Sequence, residues 1–298
     1  MNKTVKKIIG AFLAGSIIFS FAGCVSPSVV ETTTNTNPQI VSTSVAICEI
    51  LDKLEYDNVI GIPETSSESM PQRYKDVTTI GSAMSPDYEI IKSLSPDLVL
   101  SPKSLEDSLS ADYSAAGINS AFLDMSSVEG MYSAIKSLGE LLNREEQSAK
   151  LIDEYNSYMS SYTVENSDEK SVMILMAFPD GFYLVSTENS YVGNLVKLAG
   201  GKNVYDSDTN GDDNGVLQVN PEDMIQKNPD IILVYAHYSE ENAFSYMENE
   251  FKTNEVWQYY DAVKNDKIYY LPSENFGMSA TLDWTDALEY LKPILQGE

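Results

Sequence analysis

The sequence predicts an α/β protein of two related lobes joined by one long helix, on three observations. A motif occurs twice: Glu89-Ile90-Ile91-Lys92-Ser93-Leu94-Ser95-Pro96-Asp97-Leu98-Val99-Leu100 is echoed by Glu222-Asp223-Met224-Ile225-Gln226-Lys227-Asn228-Pro229-Asp230-Ile231-Ile232-Leu233. Upstream, Ser85-Pro86 and Asn220-Pro221 supply a capping residue followed by a proline suited to the first helical position. Each copy thus reads as cap, short helix, Pro-Asp turn and buried strand, the unit of an α/β layer. Between the copies, residues 144–161 place Leu151, Tyr155, Tyr158 and Met159 at helical spacing, which predicts a stiff connecting helix. Chance similarity of a common βα pattern is the competing account of the repeat.

In chain order, residues 45–54 form an amphipathic helix behind the capping cluster Ser42-Thr43-Ser44. The first copy of the repeat follows, then a helix at 131–142 and the long one. A polar stretch at 165–170 leads into a strand at 172–177. Further strands are expected near 182–185, 231–234 and 267–271, and a terminal helix at 282–295. The expected division is an N-terminal α/β lobe at 39–142, a connecting helix at 143–168 and a C-terminal α/β lobe at 169–298.

Residues 1–23 read as a leader. Lys3, Lys6 and Lys7 precede an apolar run at 8–21 that is short for a membrane span. Phe21-Ala22-Gly23-Cys24 resembles a bacterial lipobox, so Cys24 is the expected lipidation site. An uncleaved anchor and a plain secretory signal are the alternatives. Residues 24–38, rich in Ser, Thr, Asn and Pro, read as a flexible tether. Together these place the protein at an extracytoplasmic membrane face. The formal net charge is −26, and loss of the leader's three lysines makes it more negative still. Nucleic-acid binding is excluded on that ground. With Cys24 acylated, Cys48 has no partner for a disulfide, so the fold must rest on core burial.

The chain contains a single histidine, His237, which closes the apolar run 231–236. Side chains just past the carboxyl end of such a strand sit where open α/β sheets bind ligands. Most histidine-dependent catalysis is excluded; one nitrogen ligand to a metal, or an ordinary hydrogen-bonded histidine, remains. Met84 stands just before the first cap. It reads either as a hydrophobic staple on the helix or as a thioether ligand. Asp206-Ser207-Asp208-Thr209-Asn210-Gly211 matches the start of an EF-hand loop, but position 12 is Leu217, so a flexible acidic loop is expected there. The sequence has no GxGxxG, Walker P-loop, GxSxG elbow or zinc-type cluster.

The stretches IVSTSVAICEILDKLE, PQRYKDV, IGSAMSPDYEIIKSLSPDLVLS, VYAHYSEE, NEVWQYYDAVKNDKIYYL and FGMSA resemble the lipoprotein haem receptors of the iron-regulated surface determinant system. More broadly the chain is similar to substrate-binding lipoproteins of ABC importers for iron complexes and cobalamin. That resemblance implies a two-lobed periplasmic-binding-protein-like fold and no enzymatic activity. It implies haem b as transported ligand, with Met84 and His237 as axial ligands to its iron. Tyr238, Phe276 and Met278 are candidate pocket walls, with Met278 or a tyrosine phenolate as a substitute ligand. The propionates would meet the amides of Thr43, Ser44 and Val45 or the Arg73-Tyr74-Lys75 cluster, or stay in solvent. Glu89 and Glu222, at matching places in the repeat, would dock on permease arginines, or be ordinary first-turn acids. Expected partners are the ABC permease, its ATPase, an upstream haem donor and the membrane, with the chain itself monomeric. The rivals are a ferric-siderophore or cobalamin carrier, a haem-degrading enzyme or metal-dependent hydrolase, and an adhesion module.

Overall fold

The computed structural model describes residues 36–65, 70–164, 169–209, 214–219 and 221–296. The leader, Cys24 and most of the tether lie outside these residues. The first half runs β1 (Ile40–Ser42), α1 (Val45–Lys53), β2 (Val59–Ile62), β3 (Thr78–Thr79), β4 (Gly81–Ser82), β5 (Ser85–Pro86), α2 (Tyr88–Leu94), β6 (Leu98–Pro102), α3 (Glu106–Ala116), β7 (Ser120–Leu123) and α4 (Val128–Leu142). Helix α5 (Glu145–Ser161) connects it to the second half. There follow β8 (Ser171–Phe178), β9 (Phe182–Ser186), α6 (Tyr191–Leu198), β10 (Lys202–Asn203), β11 (Val216–Leu217), α7 (Pro221–Lys227), β12 (Ile231–Ala236), α8 (Glu240–Thr253), α9 (Asp261–Lys264), β13 (Ile268–Leu271) and α10 (Trp284–Gln296).

The first sheet has the order β3-β2-β1-β6-β7 and is parallel throughout. The second has the order β11-β9-β8-β12-β13, with β10 beside β8; β8, β12 and β13 are parallel and β9 returns antiparallel. Strands covered on both faces are apolar without alternation, and β12 is buried along its whole length. Alternate residues of β8 enter different cores. Met173, Leu175 and Ala177 join Met247 and Trp257. Val172, Ile174 and Met176 join a cluster that takes in Ile47, Met131 and Ile135 of the first half and Leu195, Trp284 and Leu288 of the second. Leu151, Tyr155, Tyr158 and Met159 of α5 pack on that shared cluster, as their spacing predicts. Hydrogen bonds also join the halves: Val128 N–H donates to Asn194 Oδ1 at 3.0 Å, and Ala280 N–H to the Met125 carbonyl at 2.7 Å.

The repeated Pro-Asp turns perform one task in both halves. Asp97 Oδ2 accepts from the Gln39 amide at 2.8 Å, and its own N–H donates to the Gln39 carbonyl at 2.9 Å. Asp230 Oδ2 accepts from the Ser171 amide at 2.9 Å, and its N–H returns to the Ser171 carbonyl at 2.9 Å. Each aspartate thereby ties the strand after the repeat to the first strand of its own sheet. Hydrogen bonds from Ser171 hold the Asp230 carboxyl below the usual carboxylate range.

The helix starts depart from expectation in three places. Ser85-Pro86 does not cap α2; it pairs with Gly81-Ser82 in a hairpin. Asp87 is the cap, its Oδ1 accepting from the amides of Glu89 and Ile90 at 2.9 and 3.0 Å. In the second copy Pro221 does open its helix. Ser127 caps α4 through the Gly130 amide and starts it at Val128, earlier than expected. Ser44 sits at the N-cap of α1 without a side-chain cap bond. Instead, Ser42 Oγ donates to the Ser44 carbonyl at 2.9 Å and Thr43 Oγ1 to Ser101 Oγ at 3.0 Å. Asp87→Ala is expected to cost about 1 kcal/mol, lowering Tm by roughly 2–4 °C in calorimetry. An unchanged Tm would show that the hairpin alone fixes the start of α2. Cys48 is buried and free; desolvation pushes its thiol up to about 12, so it stays protonated and unreactive.

Candidate ligand-binding cleft

The parallel strands of each sheet bring their carboxyl ends to one edge, where open α/β sheets hold ligands. In the first half that edge carries the β4–β5 hairpin and the segments after β6 and β7. In the second it carries the β8–β9 turn, His237 and Tyr238 after β12, and the segment after β13. A cavity of about 650 Å³ is lined by residues of both halves, among them Lys103, Met125, Ser190, Tyr235 and Met278. That volume suits a medium-sized organic ligand. Neither Met84 nor His237 lines it; each stands on the strand-end edge of its own sheet.

His237 continues the ladder of β12, its N–H donating to the Ala177 carbonyl at 3.0 Å. Its ring lies 4.9 Å from that of Phe178 and 5.4 Å from that of Tyr238, centroid to centroid. Nδ1 is buried and has no hydrogen-bond partner among the described residues, so Nε2 is the nitrogen available to a ligand. Burial lowers the imidazole pKa from the usual 6.5. The ring is therefore neutral at pH 7, the form that binds a metal. The sign of the linkage follows. As pH falls below 6.5 the unfolded chain binds this proton before the folded one does, so this residue's contribution to stability declines. With one histidine in the chain, NMR of its ring should give a single titration with its midpoint below 6.5. A midpoint at or above that value would show the ring to be solvated.

Met84 occupies the two-residue tip of the β4–β5 hairpin, not the flank of a helix. The staple reading is thereby excluded, because α2 starts beyond the hairpin, at the Asp87 cap. The hairpin is anchored by Asp87 N–H to the Ile80 carbonyl at 2.7 Å and Glu64 N–H to the Gly81 carbonyl at 2.8 Å. Gly81 has φ +84°, and a Cβ there would meet the Ser85 carbonyl at 3.1 Å. The thioether side chain it presents is 66% exposed.

Phe178 and Phe182 form an aromatic shelf beside His237 that the sequence reading left out. They stand directly opposite across the β8–β9 turn with ring centroids 4.1 Å apart, and Phe182 is 45% exposed. The signal was present as Phe-Pro-Asp-Gly-Phe, three turn residues flanked by two aromatics. With Tyr238, whose ring lies 6.4 Å from that of Phe178, the two phenylalanines make a contiguous exposed aromatic patch. Contiguous apolar patches mark interaction surfaces where single exposed side chains do not. In the second half a neutral imidazole thus stands beside an exposed aromatic face, and in the first half a hairpin presents an exposed thioether; imidazole and thioether are both ligand types that iron accepts.

Residues 40–275 match the model of the periplasmic binding protein family. The chain belongs to that family. It is 38% identical over 271 residues, 90% of each chain, to the high-affinity heme uptake system protein IsdE of Staphylococcus aureus strain bovine RF122. Among solved structures it is similar to S. aureus IsdE complexed with heme (TM-score 0.80, 36% identity, 87% of this chain and 98% of that one). It is likewise similar to an ABC transporter substrate-binding protein of Listeria monocytogenes EGD-e (TM-score 0.79, 41% identity, 88% and 100%). These relatives are uptake and substrate-binding proteins, not enzymes, and this periplasmic binding protein is not one either. Among the described residues no helix is long and apolar enough to cross a membrane.

The remaining expected site residues of this periplasmic binding protein divide sharply. Met278 lines the cavity and is 39% exposed. Tyr238 is half-exposed, its hydroxyl donating to Asp180 Oδ2 at 2.6 Å. Phe276 is buried in the shared core against Tyr290, at 5.6 Å, and is not a wall, because its ring has no face left to offer. Arg73 is turned to Asp52 and Asp57, so its guanidinium is already neutralised. Tyr74 is buried and donates to the Tyr56 carbonyl at 2.6 Å. Two of the three amides expected to cradle an anion are also engaged: Thr43 N–H with the Leu100 carbonyl at 3.0 Å, and Ser44 N–H with Ser42 Oγ at 3.3 Å. Val45, half-buried, is the first residue of α1. Glu89 is 89% exposed at the start of α2, with Lys92 at 3.9 Å. Glu222 is on α7, its side chain outside the described set. Asn210 and Gly211 of the acidic loop also fall outside it.

Proposed function

We propose that this chain captures haem between its two sheets and delivers it to an ABC import permease driven by its ATPase. The similarity to IsdE over 90% of the chain carries this reading. The lone neutral imidazole beside an exposed aromatic shelf supports it from the chemistry side. Met84 and His237 act as the axial pair, one from each lobe, the lobes being residues 39–142 and 169–298 with the connector at 143–168. Histidine–methionine ligation gives six-coordinate iron, and the thioether favours the ferrous state relative to a second imidazole. Phe182, Tyr238 and Met278 contribute apolar contact. Lys103 in the cavity lining offers a cation to the propionates in place of Arg73. Glu89 and Glu222 engage the permease, one acid per lobe, fixing orientation. Cys24 carries the lipid that holds the protein at the extracytoplasmic membrane face. A ring bearing iron, haem b, fits the ligand pair.

Titration of the leaderless protein with hemin, followed by spectra before and after dithionite, tests the reading. One-to-one uptake with a low-spin six-coordinate spectrum in both states is expected. Weak hemin uptake together with tight binding of a ferric siderophore or a corrinoid would move the cargo to those classes.

A further inference from the structure

A metal-binding histidine ordinarily donates its second ring N–H to a carbonyl or carboxylate, which sets the ring's orientation and raises its donor strength. His237 lacks that arrangement: Nδ1 is buried with no partner among the described residues. Something else must hold the ring. The Ala177 carbonyl fixes only the backbone N–H. The ring itself is bracketed by Phe178, tilted at 46°, and Tyr238, edge-on at 76°. Phe178 is in turn stacked on Phe182 at an interplanar angle of 13°. Tyr238 is half-exposed, and a surface tyrosine of that kind has rotamer freedom unless tethered. The tether is Asp180, in the turn between β8 and β9, accepting from the Tyr238 hydroxyl at 2.6 Å. Gly181 makes this turn possible: its φ of +92° lies where a side chain would be strained.

We propose that Tyr238 is a positioning residue for His237, held in place by Asp180, and that aromatic faces set the axial imidazole where a hydrogen bond usually does. The inference deepens the haem reading and rests on it for its role. An imidazole whose N–H meets no acceptor gains no imidazolate character. It is a weaker donor to iron, suited to a carrier that must give up its cargo. The Asp180–Tyr238 bond supplies the geometric precision that the missing hydrogen bond would have given.

Three single variants and one double test this: Tyr238→Phe and Asp180→Ala, each of which removes the tether, the two combined, and Tyr238→Ala, which also removes the ring. The rate of haem transfer to a globin freed of its own haem is measured, with the visible spectrum of the loaded protein. Tyr238→Ala should accelerate release by about tenfold or more and introduce a high-spin fraction. Tyr238→Phe and Asp180→Ala should accelerate it by the same smaller factor, and the double variant should be no faster than either single one. Parental rates in both tether variants, or effects that multiply, would overturn the proposal. A tyrosine acting only as a wall would leave Asp180→Ala without effect. In the haem-free protein the single imidazole allows a second reading by NMR. Nuclear Overhauser contacts from His237 to both Phe178 and Tyr238 are expected, with the Tyr238 contact weakened in Asp180→Ala. If the parent takes up no hemin, the cargo reading fails while these contacts still decide the clamp; their absence refutes it.

Discussion

His237→Ala will remove the low-spin six-coordinate spectrum from the hemin-loaded protein and weaken binding by at least about a hundredfold, roughly 2.8 kcal/mol. The size of the effect follows from composition. The chain has one histidine, so no second imidazole can take its place. A phenolate is a poor substitute: Tyr235, which lines the cavity, has its hydroxyl pushed up to about 12 by burial. Added imidazole should restore the low-spin spectrum to His237→Ala by occupying the space of the missing ring. Met84→Ala should lose less, because Met278 lies in the cavity lining and offers a second thioether. The double variant Met84→Ala, Met278→Ala should then fall to the level of His237→Ala. Retention of the parental spectrum in His237→Ala would refute the axial role and point to a donor outside the expected pair.

The lobes were legible because the chain repeats a structural solution. Glu, Pro-Asp and an aliphatic strand recur at equal spacing, and Asp97 and Asp230 make the same bonds to Gln39 and Ser171. The long helix was legible because its four apolar residues meet one core at helical period. The start of α2 was not. Ser-Pro and Asp are both start signals, and the choice between them is made by a hairpin whose pairing depends on the backbone of Gly81. The same limit applies to charge. Arg73 looked available for an anion because Asp52 and Asp57, which hold it, lie 21 and 16 residues upstream. Phe276 looked like a wall because exposure is not written in residue type. Met84 and His237 stood out through their positions before a helix and after a strand, but their resemblance to known haem receptors supplied the chemistry. The Phe178–Phe182 pair was within reach of turn statistics and went unread.

Trp284→Ala should cost about 3–5 kcal/mol, lowering Tm by roughly 6–20 °C, and should also loosen the hold on haem. Trp284 is buried on α10, where its ring meets Tyr155 at 5.6 Å and Tyr158 at 5.0 Å on the connecting helix. Its Nε1–H donates to the Tyr132 hydroxyl on α4 at 3.1 Å. The residue thus ties the last helix of the second half to the first half and to the connector. Trp257 is the natural control. It is equally buried, but its ring neighbours Tyr183, Phe251 and Tyr260 all belong to the second half. Trp257→Ala should destabilise by a similar amount, since a comparable cavity is left. The two should differ in function. If haem is gripped by one ligand from each half, its release rate depends on how firmly the halves are held in register. Trp284→Ala should therefore speed haem release several-fold at a temperature where both variants are folded, and Trp257→Ala should not. Equal release rates would mean that the hydrogen bonds at Val128 and Ala280 suffice to hold the halves. The aromatic cluster would then serve stability alone.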